Sequence, residues 1–162
     1  MSRMRVIKSV VILMLMLAFV ACMKVENTNE FESEDDDREV EIVLSSRIKL
    51  SFDDRIIVVE MLDNPSANDF LNLLPIELSF EDYNQTERIA YLPRQLSSDD
   101  EPMGMTPRTG DFTYYRPWGN LAIFYNDFSY SSGLIPLGKI VEGLNNVKKI
   151  NKNTIVKIET ID

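Results

Sequence analysis

Residues 110–130 concentrate the side chains that could form a binding pocket. This stretch holds eight of the chain's fifteen aromatic residues. Arg116 lies within it, and Arg94 and Arg108 lie in the loop before it. Aromatic rings supply an apolar lining, and a guanidinium supplies several hydrogen-bond donors. We therefore expect a pocket for a peptide or a small ligand. The candidate residues are Arg94, Arg108, Phe112, Tyr115, Arg116, Trp118, Phe124, Phe128 and Tyr130.

Part of this stretch must serve as core instead. It reads as two short strands joined by a tight turn at residues 117–120, followed by an aromatic loop. Because neighbours on a strand face opposite sides, Tyr114 and Tyr115 cannot both point inward. Phe112 belongs to the same face as Tyr114, so it is equally well explained as core. The turn at residues 115–118 is the part that best fits a pocket wall.

Two carboxylates flank the aromatic stretch and raise a second kind of chemistry. Hydrolysis by a carboxylate pair needs the two groups at a defined separation. Asp111 and Asp127 are the available pair. Asp111 follows Gly110 at the start of a strand, where a side chain that stabilises a turn is favoured. We therefore prefer the structural role.

Missing residue types exclude several kinds of site. The chain has no histidine, which removes the commonest general base and the commonest transition-metal ligand. Cys22 is the only cysteine, so an intrachain disulfide and a zinc site of several cysteines are excluded. No motif predicts a metal or a cofactor. We expect no cofactor, and a binding module rather than an enzyme.

The N-terminus resembles a bacterial lipoprotein signal. Residues 1–9 are basic, and residues 10–20 form an unbroken apolar run that is too short to span a bilayer as a helix. Cys22 follows this run directly after a small residue. We expect residues 1–21 to be removed and Cys22 to carry acyl chains such as palmitate. The alternative is an ordinary signal peptide, or an uncleaved anchor, that happens to contain a cysteine. The lipoprotein interpretation places the protein on a membrane of the bacterial cell envelope.

An acidic segment separates the signal from the rest of the chain. Residues 22–39 are polar and contain the run Glu34-Asp35-Asp36-Asp37. Such a composition predicts a disordered, extended tether. Without residues 1–21 the formal charge falls from −9 to −12. Since nucleic-acid binding depends on basic residues that neutralise phosphates, this charge argues against it.

Residues 40–162 are expected to form one domain of short strands. The predicted strands cover residues 47–52, 55–61, 76–80, 88–92, two segments within 110–125, 134–141 and 154–161, and residues 40–44 are a further strand or the end of the tether. The turns include a polar one at residues 81–86. About eight strands without alternating long helices predict a mainly β fold, a closed or nearly closed barrel.

Two short helices complete the prediction. The first covers residues 64–75, with Asn64 as N-cap, Pro65 at the first position and Asp69 in the first turn. Residues 142–149 form the second helix or a turn. The loop at residues 93–109 is long for a small domain, and its Met103 and Met105 could form an apolar lip over a pocket or simply pack against the surface.

Several motifs in this order resemble the bacterial cyclophilin-like proteins. They are Asp63-Asn64-Pro65-Ser66-Ala67, Leu73-Leu74-Pro75-Ile76, Ala90-Tyr91-Leu92-Pro93, Gly110-Asp111-Phe112-Thr113, Trp118-Gly119-Asn120-Leu121-Ala122-Ile123-Phe124-Tyr125 and Leu137-Gly138-Lys139-Ile140. The resemblance covers residues 45–162 and implies an eight-stranded cyclophilin-like β-barrel with two short helices.

The resemblance also implies, at most, a site related to that of the prolyl isomerases. Cyclophilins place a glutamine just before the Gly-Asp-Phe-Thr strand, where this chain has Arg108. Their Phe-His-Arg segment, which supplies the catalytic arginine, has no counterpart in this sequence. Isomerisation needs an apolar pocket and a donor to the amide. Three functions remain open: a membrane-anchored binding module, an isomerase of low or altered activity, and a structural interaction protein of the envelope.

Overall fold

Short strands with alternating apolar residues build most of the fold. The computed structural model describes residues 46–98, 104–152 and 154–161. The strands are β1 (Arg47–Phe52), β2 (Arg55–Met61), β3 (Ile76–Tyr83), β4 (Glu87–Tyr91), β5 (Asp111–Tyr115), β6 (Asn120–Phe124), β7 (Leu134–Glu142) and β8 (Thr154–Ile161), and the helices are α1 (Pro65–Leu71) and α2 (Leu144–Val147). The predicted mainly β fold with two short helices is confirmed.

The strands close into an antiparallel barrel in the order β1-β2-β7-β5-β6-β4-β3-β8. The strand β8 pairs with both β3 and β1, with Leu50 opposite Ile158, and so joins the two ends of the sheet. An eight-stranded barrel leaves an interior that side chains alone can fill. The fully buried rings of Phe80, Phe112 and Tyr114 belong to this interior.

Helix α1 covers part of the interior with its apolar face. Phe70 is fully buried, and its ring centroid lies 5.5 Å from that of Phe112. Burying one such side chain stabilises the fold by roughly 1.5–3 kcal/mol. Asn64 caps the helix as predicted, because its side chain accepts a hydrogen bond from Ala67 N at 2.8 Å. The prediction that Asp69 lies in the first turn of the helix is wrong. Asp69 follows the first turn and pairs with Arg94.

The predicted polar turn at residues 81–86 is too long. Strand β3 continues to Tyr83, because Glu81 and Tyr83 lie opposite Ile89 and Glu87 of β4. Cross-strand pairing therefore holds a polar segment in extended form. Only the residues after Tyr83 turn, and Asn84 and Gln85 adopt φ angles of 52° and 54°.

Several sequence predictions fall on residues that the structure does not describe. The signal segment at residues 1–21, the tether at residues 22–39, Cys22 and Met103 all lie outside the described ranges. Residues 40–44 lie outside them too. Within the described ranges, no helix has the length and apolar character needed to cross a membrane.

Candidate functional site

Strand β6 is buried on both faces, and its outer face forms one side of a pocket. Leu121 and Ile123 point into the barrel interior. Ala122 and Phe124 point outward and belong to a second apolar cluster with Ile89 and Leu134. A strand buried on both faces needs a layer outside the barrel, and the chain after β6 supplies it.

The segment at residues 126–133 covers this outer face. Its backbone is tied to the preceding loop, since Ser131 N donates to Met105 O at 2.9 Å and Met105 N donates to Ser131 O at 3.1 Å. Phe128 N donates to Pro107 O at 3.2 Å. These bonds hold the segment beside the barrel. Met105 packs against the outer apolar cluster. This contact corresponds to the Met105 part of the predicted methionine lip.

We call the cavity between this segment and the barrel the outer pocket. Its volume is about 220 Å³, and its described lining consists of Tyr83, Asn84, Glu87, Ile89, Tyr115, Trp118, Asn120, Phe124, Phe128, Ser131 and Leu134. Pockets that enclose a drug-sized ligand measure roughly 300–1,000 Å³. The outer pocket is therefore large enough for a side chain or a similar group rather than for a whole large ligand.

Three aromatic rings meet along the pocket. Tyr83 lies opposite Glu87 at one end of β4, whereas Tyr115 lies opposite Asn120 at the other end of the site. The ring of Trp118 contacts both, at centroid distances of 5.5 Å to Tyr83 and 5.4 Å to Tyr115, each edge to face. Such pairs contribute about 0.5–1.5 kcal/mol beyond their buried area. The three rings form a continuous aromatic lining.

Two polar side chains of the lining have unused hydrogen-bond capacity. Glu87 is half-buried, and its carboxylate has no hydrogen bond or ion pair with any residue in the described ranges. Burial, together with the nearby carboxylate of Asp82, raises its pKa to about 7. Asn120 is almost fully buried and donates to Leu121 O, but no described residue donates to its Oδ1 atom.

The structure brings four of the nine pocket candidates together. Tyr115, Trp118, Phe124 and Phe128 all line the outer pocket. Tyr115 faces outward while Tyr114 fills the barrel interior, as their neighbouring positions on a strand predict. The core alternative is the one that holds for Phe112. Tyr130 is 63% exposed and is not among the lining residues.

The three candidate arginines lie elsewhere. Arg94 pairs with Asp69 through both terminal nitrogens, at 2.6 and 2.8 Å, and this arrangement lowers the pKa of Asp69 to about 2. Arg108 pairs with Asp127 at 3.0 Å. Arg116 lines a separate shallow depression beside Pro117 and contributes nothing to the described lining of the outer pocket.

The two candidate carboxylates stabilise one turn. Asp111 accepts a hydrogen bond from Arg108 N at 2.6 Å and pairs with Lys139 at 2.8 Å. Asp127 accepts hydrogen bonds from Thr109 N and Thr109 Oγ1, both at 2.9 Å, and these bonds lower its pKa. This agrees with the structural role expected for Asp111. Within the described ranges, no cluster of three or more acidic or cysteine side chains is arranged to hold a metal ion.

Sequence reasoning missed the four lining residues that come from the β3–β4 hairpin. Tyr83, Glu87 and Ile89 belong to it, as does Asn84 in its turn. Glu87 and Ile89 are two positions apart, so the sequence alone predicts that they share one face of a strand. Their position beside β6 could not be predicted, because β4 and β6 are far apart in the chain and meet only when the barrel closes.

Comparisons with known proteins agree with this architecture. No curated protein matches the chain. The solution structure of the hypothetical protein AF2241 from Archaeoglobus fulgidus is similar, with a TM-score of 0.58, 19% identity, and coverage of 71% of this chain and 94% of that one. At this identity the likeness concerns the fold alone. The sequence profile of the cyclophilin-like family matches residues 50–159. The chain therefore belongs to the cyclophilin-like family.

Proposed function

We propose that this protein is a ligand-binding module that takes one side chain or a similar group of a peptide or small molecule into the outer pocket. The observation that carries the proposal is an open cavity of about 220 Å³ beside a barrel whose own interior is filled by side chains. Pockets lined by aromatic rings with a few polar groups are the usual form of small binding sites.

Exposure of the rim supports this function. Trp118, Tyr83 and Phe128 line the pocket and yet remain 48%, 42% and 42% exposed. Large apolar side chains grouped at one exposed place are typical of binding surfaces, whereas single ones are common anywhere. A ligand group that enters here would remove ring surface from water, which stabilises the complex.

Binding fits the placement of the arginines better than isomerisation does. An isomerase needs a donor held over its apolar pocket. Arg94 and Arg108 are each paired with a carboxylate away from the outer pocket. The proposed module would be held on a membrane of the bacterial cell envelope by acyl chains on Cys22, as the lipoprotein-like N-terminus suggests.

The proposal is tested by filling the pocket. Ser131 lines it, so Ser131→Phe places a ring in the cavity, and Ser129→Phe adds the same ring to an exposed position outside the lining. The emission of Trp118, the only tryptophan, reports binding. The probes are capped dipeptides that differ in side-chain charge, polarity and ring content. We expect at least one class to change the emission saturably, with affinity weakened by about tenfold or more in Ser131→Phe and unchanged in Ser129→Phe.

Two results would contradict the proposal. One is an absence of saturable change with every dipeptide, which would favour a structural interaction protein. The other is equal affinity in wild type and Ser131→Phe. Acceleration of Xaa-Pro isomerisation that disappears when Arg94, Arg108 or Arg116 is changed to alanine would favour the isomerase alternative.

A further inference from the structure

The carboxylate of Glu87 is a charge without a counter-charge. It lines the outer pocket at the start of β4, opposite Phe124 of β6 and Tyr83 of β3. The charged group that acts on it most is Asp82, which is also acidic. A half-buried carboxylate beside aromatic rings loses hydration that nothing in the described structure replaces.

Asp82, the carboxylate that acts on Glu87 within the β3–β4 hairpin, already has hydrogen-bond donors on both of its oxygens. Arg88 Nη1 and Tyr125 Oη donate to Asp82 Oδ2 at 2.6 and 2.5 Å, and Gln85 N donates to Oδ1 at 3.0 Å. The guanidinium of Arg88, in the same hairpin, is thus paired with Asp82. The Glu87 carboxylate has no positive or hydrogen-donating partner among the described residues.

Asn120, another residue of the lining, carries an unpaired acceptor that is enclosed by the protein. Its side chain is 1% exposed, its amide nitrogen donates to Leu121 O at 2.9 Å, and Oδ1 receives no hydrogen bond from the described residues. Leaving a buried acceptor unpaired is destabilising. Glu87 is the acceptor that the cavity presents to a ligand, so a matching ligand group carries positive charge or hydrogen-bond donors.

The rest of the lining selects the type of cation. Trp118, Tyr83 and Tyr115 form a continuous aromatic surface, and ring faces attract ammonium groups within about 6 Å. Metal ions such as Ca²⁺ require six or more oxygen ligands. One carboxylate and several rings suit an organic cation instead.

We propose that the outer pocket binds an alkylammonium group of its ligand, with Glu87 as the counter-charge and the Trp118, Tyr83 and Tyr115 rings as the surrounding aromatic surface. This inference rests on the proposed binding function and specifies the chemical class of the group that is bound. The cavity, about 220 Å³ in volume, accommodates a group of this size.

Binding of such a cation depends on pH in a defined direction. Four titratable groups surround Glu87: Asp82 and Tyr83 of β3, Tyr115 of β5, and Tyr125 after β6. The cations Arg88 and Lys148 lie over the Tyr125 ring. The pKa of Tyr125 is raised to about 12, so this group stays protonated. Glu87, with a pKa of about 7, is then the group that changes charge near neutrality. Affinity rises as Glu87 ionises.

The test compares choline with 3,3-dimethyl-1-butanol, its neutral isostere, by the emission of Trp118 in the full-length protein. We expect choline to bind more tightly than the isostere, and about tenfold more tightly at about pH 8 than at about pH 6, because only the ionised fraction of Glu87 is competent. Glu87→Gln should weaken choline binding by about tenfold at the higher pH and abolish the pH dependence. Glu77→Gln, an exposed change on β3 outside the pocket lining, should bind like wild type.

Three outcomes overturn the inference. If the neutral isostere binds as tightly as choline, the pocket selects apolar groups, and the binding function survives while the cation specificity fails. If Glu87→Gln binds choline as wild type does, the counter-charge is wrong. If choline fails while a neutral dipeptide binds, only the inference falls; if choline and every dipeptide fail, the proposed function falls with it.

Discussion

At the scale of single residues, the outer pocket is defined by groups whose interactions are incomplete. Most charged side chains of the described structure have partners: Arg94 is paired with Asp69, and Lys139 with Asp111. Glu87 and Asn120 are the exceptions in the pocket lining. Unsatisfied buried groups are rare in folded proteins, and they concentrate where something else is bound.

The pKa of Glu87 leads to a prediction about stability. The folded protein holds this proton up to about pH 7, whereas the unfolded chain releases it near 4.5. The native state therefore binds more protons between these values, and the contribution of Glu87 to stability is present below pH 4.5 and lost as pH rises through about 7. We expect Glu87→Gln to be more stable than wild type at alkaline pH by about 1–2 kcal/mol, a value reduced to allow for partial exposure.

Urea unfolding of both proteins across the pH range measures this difference. The gain in Glu87→Gln should vanish at acid pH, where Glu87 is protonated and resembles glutamine. Glu142→Gln, an exposed change on β7 outside the pocket lining, serves as the control and should follow wild type throughout. A gain of equal size at every pH would mean that glutamine improves packing, and that the charge of Glu87 is irrelevant to stability.

At the scale of elements, sequence signals of short range were the reliable ones. The bounds of β1 and β8 follow from alternation and those of β2 from its run of β-branched residues, and Asn64-Pro65 marks the start of α1. Sequence patterns gave a wrong prediction where pairing with a neighbouring strand determines the backbone conformation. Polarity suggested a turn at Glu81 and Asp82, but β4 holds both residues in β3. Propensity is a weak guide wherever a neighbouring strand supplies the hydrogen bonds.

The side chain of Asn64 links helix α1 to the barrel in addition to capping the helix. We therefore expect its removal to cost more stability than the loss of a cap alone. Its Oδ1 atom accepts from Ala67 N, and its Nδ2 atom donates to Pro136 O of β7, each at 2.8 Å. We expect Asn64→Ala to lower the free energy of unfolding by about 1.5–3 kcal/mol, the combined effect of a lost cap and a lost link to the barrel.

Asn68→Ala is the matched control for this change. Asn68 is exposed on the same helix, and its side chain donates to Asp63 at 2.9 Å. Its replacement should cost less than about 0.5 kcal/mol, as exposed substitutions usually do. Chemical unfolding of the two variants gives the comparison, and equal losses would show that Asn64 has no special role.

At the scale of the whole molecule, closure of the barrel creates the site. Phe124 and Glu87 face each other only because β6 pairs with β4, and Tyr83 reaches Trp118 only because β3 lies beside β4. The sequence showed that the aromatic stretch was divided between core and pocket. The strand order β5-β6-β4-β3 depends on contacts between distant segments, so the partners of the stretch could not be read from it.

The proposed anchor belongs to the same scale, because it decides where the whole protein resides. We expect cells that express the protein to incorporate a fatty-acid probe into it, and Cys22→Ala to abolish the labelling and release the protein from the membrane fraction. Replacement of a different residue beside the signal, Met23→Ala, should change neither. Continued labelling of Cys22→Ala would disprove acylation at this residue.

Strand β6 also has a consequence for how this protein can diversify. Every residue from Asn120 to Phe124 is at most 1% exposed, so neither face of the strand tolerates change without disturbing the barrel or the outer cluster. Tyr83, Trp118, Phe128 and Ser131 instead lie at strand ends and in loops, where substitutions disturb the fold least. Under the proposed binding function, exchange of these rim residues would alter ligand preference while the barrel beneath them stays the same.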